Sequence, residues 1–592
     1  MEEPSHHKII VGVDYGTTYT GISFVSTDKH DINDIVVVNS WPGPSRDTET
    51  VFKTPSRIAY ASENISRSDL WGFQVEPGMT AYSWTKLLLD KNTPKAQHDD
   101  AALKSTAGMG MLQLPAGKAA VDVCADFLRS VYRYMLQTLE KQITREILKV
   151  TPLEFWFTMP AIWSDQAQSA TRKAAEQAGF GSRPGDKIYM ITEPEAAGIA
   201  TLKRNTVDES RSVAKPGDGI LICDCGGGTV DITTYKIKEV RPKLEFSEIC
   251  TGTGAKCGST AIDRNFYMLL SKRFGHAFDS LPLKKKGPGS NLMKAFEQVK
   301  RDFGYCREEQ IHELPLNMSI EKVDPDHFDN DERLVLLSYQ DIRELFDPVV
   351  DRIFKLVGEQ INEANKKEKK WVVNAMEKSF AKLGKIQVIV PDQPQAAIVR
   401  GAALRGLEGV RPKTKRCRRH YGFSVLLPFR PGVDSEAHAT YDLYDGRKLA
   451  AGGMSWIIEK GDEILEGEWR ANSLQRTHVS SDATSSTMTL FSCSLDDAPE
   501  RFDDLGVETV GEVQVDFSNM DIASTFKSRR DWKYGRIYRL DFEVKVLFGA
   551  QAGILQFQSE SRGRDMRLLL RSMIIGEKCR LLLTVTVVGL LS

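Results

Sequence analysis

Two short segments of the chain carry the residue types that phosphate chemistry needs. In the first, the apolar run Ile9-Ile10-Val11-Gly12-Val13 leads into Asp14-Tyr15-Gly16-Thr17-Thr18-Tyr19 and then into Gly21-Ile22-Ser23-Phe24-Val25. In the second, Ile220-Leu221-Ile222-Cys223 leads into Asp224-Cys225-Gly226-Gly227-Gly228-Thr229 and then into Val230-Asp231-Ile232-Thr233-Thr234-Tyr235. A branched apolar run, a glycine turn and a second apolar run read as a hairpin. Glycine lets backbone N–H groups approach phosphate oxygens with no Cβ in the way. An aspartate beside the turn suits Mg2+ held through water, because that ion keeps much of its hydration shell. Asp14 and Asp224 fit that role, and Thr17, Thr18 and Thr229 supply hydroxyls. A lone turn of this kind is as readily a plain tight hairpin. Two copies in one chain favour phosphate binding and suggest an internal duplication, one copy per lobe.

Glu297, Lys300 and Arg301 form an E-x-x-K-R run on an expected helix. Glu and Lys three residues apart share a face and can grip a ribose while the guanidinium lies against an adenine plane. The commoner meaning of such a trio is a salt-bridged helix surface. Around these residues, Val123, Phe127, Val131 and Met135 recur at helical spacing, and Phe155-Trp156-Phe157-Thr158-Met159 reads as a strand ended by Pro160. Ser164 is the expected cap of an alanine-rich helix running to Gly179. Alternating strands and helices predict α/β lobes. Beyond about Gly406 short strands and turn signals dominate. Leu540, Phe542, Val544 and Val546 alternate with Arg539, Asp541, Glu543 and Lys545, which predicts a smaller antiparallel β domain.

With these motifs in order, the chain resembles the seventy-kilodalton heat-shock protein family, within the actin and hexokinase ATPase superfamily. Val11 to Tyr19 is similar to that family's first phosphate motif and Cys223 to Asp231 to its second. Thr158-Met159-Pro160-Ala161 and Thr192-Glu193-Pro194-Glu195-Ala196-Ala197 resemble the segment linking the lobes. The resemblance covers about the first four hundred residues. It implies ATP or ADP with Mg2+ as ligands: Gly16, Thr17, Thr18, Tyr19, Gly226, Gly227, Gly228 and Thr229 at the phosphates, and Asp14 and Asp224 organising the metal and its waters. Glu193 would orient the hydrolytic water with Asp231 assisting as a weak base. Lys86 sits where the family carries a phosphate-contacting lysine; its other reading is a solvated lysine on a helix face. Gly258-Ser259-Thr260 resembles a further loop near the phosphates, without its usual paired glycine and acidic residue. The family has a trio like Glu297, Lys300 and Arg301 in this position, which favours the adenosine reading there.

The family's second adenosine motif, a strand ending in paired glycines, is missing. It would lie between the helix at Val349 to Ile361 and the segment Pro391-Asp392-Gln393-Pro394-Gln395-Ala396-Ala397, where Asn365-Lys366-Lys367-Glu368-Lys369-Lys370-Trp371 and a polar, helix-like stretch stand instead. A natural pseudo-ATPase and a defective gene model would both produce this gap.

The bulk numbers narrow the rest. A chain of 592 residues exceeds what one core usually supports, and 79 Lys plus Arg against 80 Asp plus Glu leaves no overall drive toward nucleic acid or an anionic membrane. The nine cysteines form no C-x-x-C pair, with Cys223 and Cys225 expected on opposite faces of a strand. Free thiols, a polar start from Met1 to Lys8 and no apolar run of about 20 residues predict a soluble cytoplasmic protein. The expected architecture is a two-lobed actin and heat-shock-type ATPase domain over 1–408, with duplicated ribonuclease-H-like lobes at about 1–205 and 206–408. A solvated basic linker follows at 409–420, then a β-rich domain at 421–560 and a tail of unclear structure at 561–592. The expected function is slow Mg-dependent ATP hydrolysis with cleft closure as a conformational switch and a chaperone-related role involving polypeptide clients or co-chaperones. The alternative is an interaction scaffold that keeps the fold without turnover, because an adenosine-binding strand is missing.

Overall fold

The computed structural model describes residues 7–573 apart from 30, 44–50, 91–97, 101–110, 208–214, 241–243, 304–308, 321–323, 368–392, 480–481, 549–554, 562–563 and 566. They fall into two compact units. The first takes in the residues up to Arg418 together with Lys460–Trp469 and Leu547–Gln556, and the second Arg419–Glu459, Arg470–Val546 and the segment from Phe557.

The first unit begins with β1 (Ile9–Tyr15), β2 (Tyr19–Ser26), β3 (Val36–Val37) and β4 (Lys53–Pro55), followed by helix α1 (Ala120–Glu140), β5 (Leu153–Met159), α2 (Asp165–Ala178) and β6 (Lys187–Thr192). The sheet runs β3-β2-β1-β5-β6, with β4 also on β2. β1 and β2 are antiparallel with Asp14 opposite Gly21, while β1–β5 and β5–β6 are parallel. Every residue of β1 and β5 is buried, so both are mostly apolar, with Asp14, Glu154 and Thr158 as the buried polar exceptions. Val123, Phe127, Val131 and Met135 turn inward from α1. The Ser164 hydroxyl accepts from the Ala167 N–H at 3.2 Å to start α2, and Gly179 at φ 111° ends it.

The hairpin pattern then returns. Helix α3 (Glu193–Val207) leads to β7 (Gly219–Cys225), β8 (Val230–Glu239), β9 (Glu245–Glu248) and β10 (Thr253–Ala255). β7, β9 and β10 all pair antiparallel with β8, Asp224 standing opposite Asp231. Helices α4 (Thr260–Phe274), α5 (Asn291–Asp302) and α6 (Tyr339–Lys367) pack with a small sheet of His312–Pro315, Phe328–Asp329 and Leu334–Leu337 around Phe266, Phe296 and Val335. The expected helix at Val349 to Ile361 is part of α6; the sequence gap after it lies outside the described residues. Helix α7 (Pro394–Glu408) crosses α3 so closely that a Cβ on Gly401 would fall 1.7 Å from the Ala196 carbonyl oxygen.

The connector after α7 is docked, contrary to the expected solvated segment. Thr414–Arg416 pairs antiparallel with Glu463–Leu465. Arg411 bonds Glu466 at 2.6 Å, Lys415 Glu195 at 2.7 Å, and Arg418 Glu248 at 2.9 Å. Glu195, Glu248 and Glu466 are almost fully buried. Buried carboxylates need cationic partners, and the basic connector supplies them.

The second unit is antiparallel β structure in two sheets. In one, Lys448–Ile458, His420–Pro428, Ser485–Cys493 and Val507–Asp516 lie side by side, with Arg567–Met573 on the edge. The other is centred on Gly535–Leu547, where Leu540, Phe542, Val544 and Val546 are buried as their alternation predicts.

Candidate functional site

Each glycine turn closes with the same hydrogen bond. The Gly16 N–H donates to the Tyr19 carbonyl at 3.1 Å, and the Gly226 N–H to the Thr229 carbonyl at 3.0 Å. The turns meet face to face: a Cβ on Gly227 would stand 2.1 Å from Thr18 Oγ1, and one on Gly228 2.6 Å from Thr17 Oγ1. Only glycine fits an approach this close. Gly258-Ser259-Thr260 braces the second turn, its three N–H groups donating to the carbonyls of Gly228, Gly226 and Gly227 at 3.2, 3.0 and 2.9 Å.

Four acidic side chains from both sheets and α3 converge behind the turns. Asp14 at the end of β1 accepts from Lys53 Nζ at 2.6 Å and from the Thr158 hydroxyl at 2.8 Å. Burial works to raise its pKa, but the charge and hydrogen bond of Lys53 outweigh it and hold the carboxyl below the usual value. Asp224, its counterpart at the end of β7, is pushed well above the usual range by burial, with repulsion from Glu193, Asp231 and Asp14 added. Glu193, at the start of α3, is raised to about 7 by burial; Lys86 opposes the shift, and Asp231 and Asp14 reinforce it. Asp231 accepts from the Ala161 N–H at 2.7 Å, while its Oδ2 is buried with no hydrogen-bond partner among the described residues.

Lys86 is not a solvated lysine. It is 1% exposed, bonds Glu193 Oε1 at 2.8 Å and stands 5.1 Å from the centre of the Trp163 ring. Lys53 is the residue that sequence reasoning missed. It lies in the three-residue strand β4, too short to show a pattern, and it reaches the site only because β4 pairs with the start of β2.

Against these four carboxylates stand two lysines, Lys53 and Lys86. With all six groups ionised the cluster carries two surplus negative charges, and that surplus adds to burial in raising Asp224 and Glu193. A hydrated divalent cation near Asp14 and Asp224 would relieve it; among the described residues no three acidic, His or Cys side chains are grouped to ligate a metal directly, so the fit is to Mg2+ held through its own waters.

A cavity of about 1270 Å³ joins this cluster to the helical trio, with Tyr19, both turns, Glu297, Lys300 and Arg301 in its wall. Lys300 bonds Asp263 at 2.9 Å and Glu297 at 3.1 Å, and Arg301 bonds Glu297 at 3.2 Å. The trio is therefore both a salt-bridged helix face and part of the cleft. Asp263 was not singled out from the sequence, where Thr260-Ala261-Ile262-Asp263 carries only a helix-start pattern.

The family model described as Hsp70 protein matches residues 86–373, a span that begins at Lys86 and includes the second turn and the trio. The chain is thus similar to divergent seventy-kilodalton heat-shock proteins. It is 24% identical to human heat shock 70 kDa protein 12A over 79% of this chain and 78% of that protein. With human heat shock 70 kDa protein 12B it shares 24% identity over 91% of this chain and 88% of that one. A chaperone protein HscA homolog of Herminiimonas arsenicoxydans is 25% identical over 50% of this chain and 42% of its own length. The first turn lies outside the span of the family model, so its assignment rests on its matching geometry with the second. No helix among the described residues is long and apolar enough to cross a membrane.

Proposed function

We propose that this heat-shock relative binds Mg-ATP in the cleft and hydrolyses it slowly, using closure of the cleft as a switch. One observation carries the reading: two glycine turns of the same construction meet at a cluster of four carboxylates and two lysines, at one end of a cavity whose other wall holds a Glu-Lys-Arg helix face. The turn N–H groups and the hydroxyls of Thr17, Thr18 and Thr229 bind the phosphates. Asp14 and Asp224 hold the metal through water, and Mg2+ there supplies charge neutralisation for in-line attack at the γ-phosphorus. Lys86 orients a terminal phosphate oxygen. Glu193, with a pKa raised to about 7, is poised to orient a water and accept its proton near neutral pH, and Asp231 assists it. Glu297, Lys300 and Arg301 take the ribose and adenine, and no covalent nucleophile is needed. Titration calorimetry with Mg-ATP on the full chain, repeated on Asp14→Asn and Asp224→Asn, tests the site; affinity unchanged by either substitution refutes it.

The missing glycine-paired motif favours a second reading, a scaffold that binds without turnover. Phosphate release that depends on magnesium and disappears in Glu193→Gln would exclude it, whereas nucleotide binding without such release would support it. The names of the chaperone relatives support polypeptide clients or co-chaperones as partners, which pull-down in the presence and absence of nucleotide would test.

A further inference from the structure

Cys223 and Cys225 are two residues apart on β7, with Asp224 between them. They do not take the opposite faces expected of them. A strand alternates with a period of two, so residues i and i+2 share a face, and the two sulfurs lie 3.6 Å apart. Both are exposed and both line the cleft, whereas the other described cysteines, Cys124, Cys250, Cys257, Cys417 and Cys493, are buried. Oxidants therefore reach this pair before the rest, and each thiol has a partner in contact.

Ladder geometry sets what joining them would do. Residues two apart on a strand have Cα atoms about 6.6 Å apart, two rises of about 3.3 Å. That is at the outer edge of the roughly 4.4–6.8 Å that disulfides span, and the sulfurs must close to about 2.05 Å. The strand end has to pucker, and the residue inside the closed ring is Asp224. Cys225 runs directly into Gly226, whose N–H closes the second turn, so the distortion reaches the phosphate loop as well.

We propose that Cys223 and Cys225 are an oxidisable dithiol whose closure to an intrachain disulfide withdraws Asp224 from the metal position and suppresses Mg-nucleotide binding. The suppression, though not the disulfide, rests on the function proposed above. The oxidant is a peroxide. One sulfur attacks a peroxide oxygen, the O–O bond breaks, and a sulfenic acid and one water form. The second sulfur then attacks the sulfenic sulfur, expelling the second water and forming the S–S bond. Two sulfurs are oxidised by one electron each and the peroxide takes both electrons. A small dithiol reverses the reaction by exchange.

The test uses the full chain. Reduced and peroxide-treated samples are alkylated, digested and mapped by mass, and each is titrated with Mg-ATP before and after dithiothreitol; Cys223→Ser and Cys225→Ser are treated in parallel. The expected result is a linked 223–225 peptide, affinity lowered by about tenfold or more on oxidation and restored by reductant, and no such loss in either variant relative to its own reduced state. Failure to find the linked peptide overturns the proposal whatever the nucleotide does. A linked peptide with unchanged affinity overturns the suppression and leaves the nucleotide site standing. A reduced protein that binds no Mg-ATP overturns the suppression and the proposed function together, with the disulfide still judged by mass.

Discussion

Asp14 and Asp224 occupy equivalent ends of two similar hairpins, yet the same substitution should move stability in opposite directions. Asp14 is 2% exposed and forms its ion pair with Lys53 at 2.6 Å. Asp14→Asn leaves a mostly buried ammonium without its nearest counter-charge, a loss that in buried pairs costs about 3–5 kcal/mol. Asp224 and Glu193 also attract Lys53 and soften the effect, so about 2–4 kcal/mol is expected. Asp224 stands in the reverse situation. Its folded pKa is raised, so the contribution of its neutral form is fully present below the ordinary value of 3.8 and is lost as pH rises toward the folded one. Asp224 is only partly buried, which weakens the effect, but removing a carboxyl repelled by Glu193, Asp231 and Asp14 should make Asp224→Asn more stable than the parent at pH 7. Urea unfolding at pH 7 without nucleotide or metal measures both. Mg-ATP binding should fall by about tenfold or more in each variant, at 1.4 kcal/mol per tenfold. Equal destabilisation by the two substitutions would refute the claim that Lys53 neutralises one aspartate and leaves the other repelled.

Turnover should rise with pH through about 7, the pKa to which Glu193 is raised, and a phosphate-release profile between pH 5.5 and 8.5 should lose that limb in Glu193→Gln. The same group links pH to stability. Its neutral form favours the fold fully below 4.5 and that contribution disappears above about 7, so the stability difference between parent and Glu193→Gln should shift toward the variant from pH 5 to pH 8 in urea melts. Gly227→Ala should clash with Thr18, costing about 1–3 kcal/mol and most of the nucleotide affinity, and Thr18→Gly in the same chain should recover much of the stability in thermal unfolding. Arg405 donates to both oxygens of Glu466 at 2.8 Å; Arg405→Leu should cost about 3 kcal/mol by denaturant titration, and Arg405→Leu with Glu466→Leu distinctly less.

Where the chain reports its own periodicity, the sequence was a good guide. The buried runs of β1 and β5, the inward stripe of α1, the capped α2 and the alternation of Gly535–Leu547 all follow from local pattern. Both turns were legible because the same pattern of aspartate and glycine occurs twice in the chain. What was not legible depends on pairing across distance. Lys53 reaches Asp14 through a short strand, Asp263 meets Lys300 between two helices, and two of the connector's charges find acids far away in sequence, Arg418 at Glu248 and Lys415 at Glu195. Cys223 and Cys225 are a different case, since the period of a strand already put them on one face.

The first turn of α3 is gripped from two sides. Glu193 reaches inward to Lys86 at 2.8 Å, and Glu195 reaches the other way to Lys415 at 2.7 Å. Because the two bonds pull opposite ways on one rod, about one ångström of travel toward either partner would carry the other bond past hydrogen-bonding length. The helix end thus behaves like a balance beam, with the protonation of the cleft in one pan and the hold on the basic strand in the other, so that a weight changed in either is felt in both.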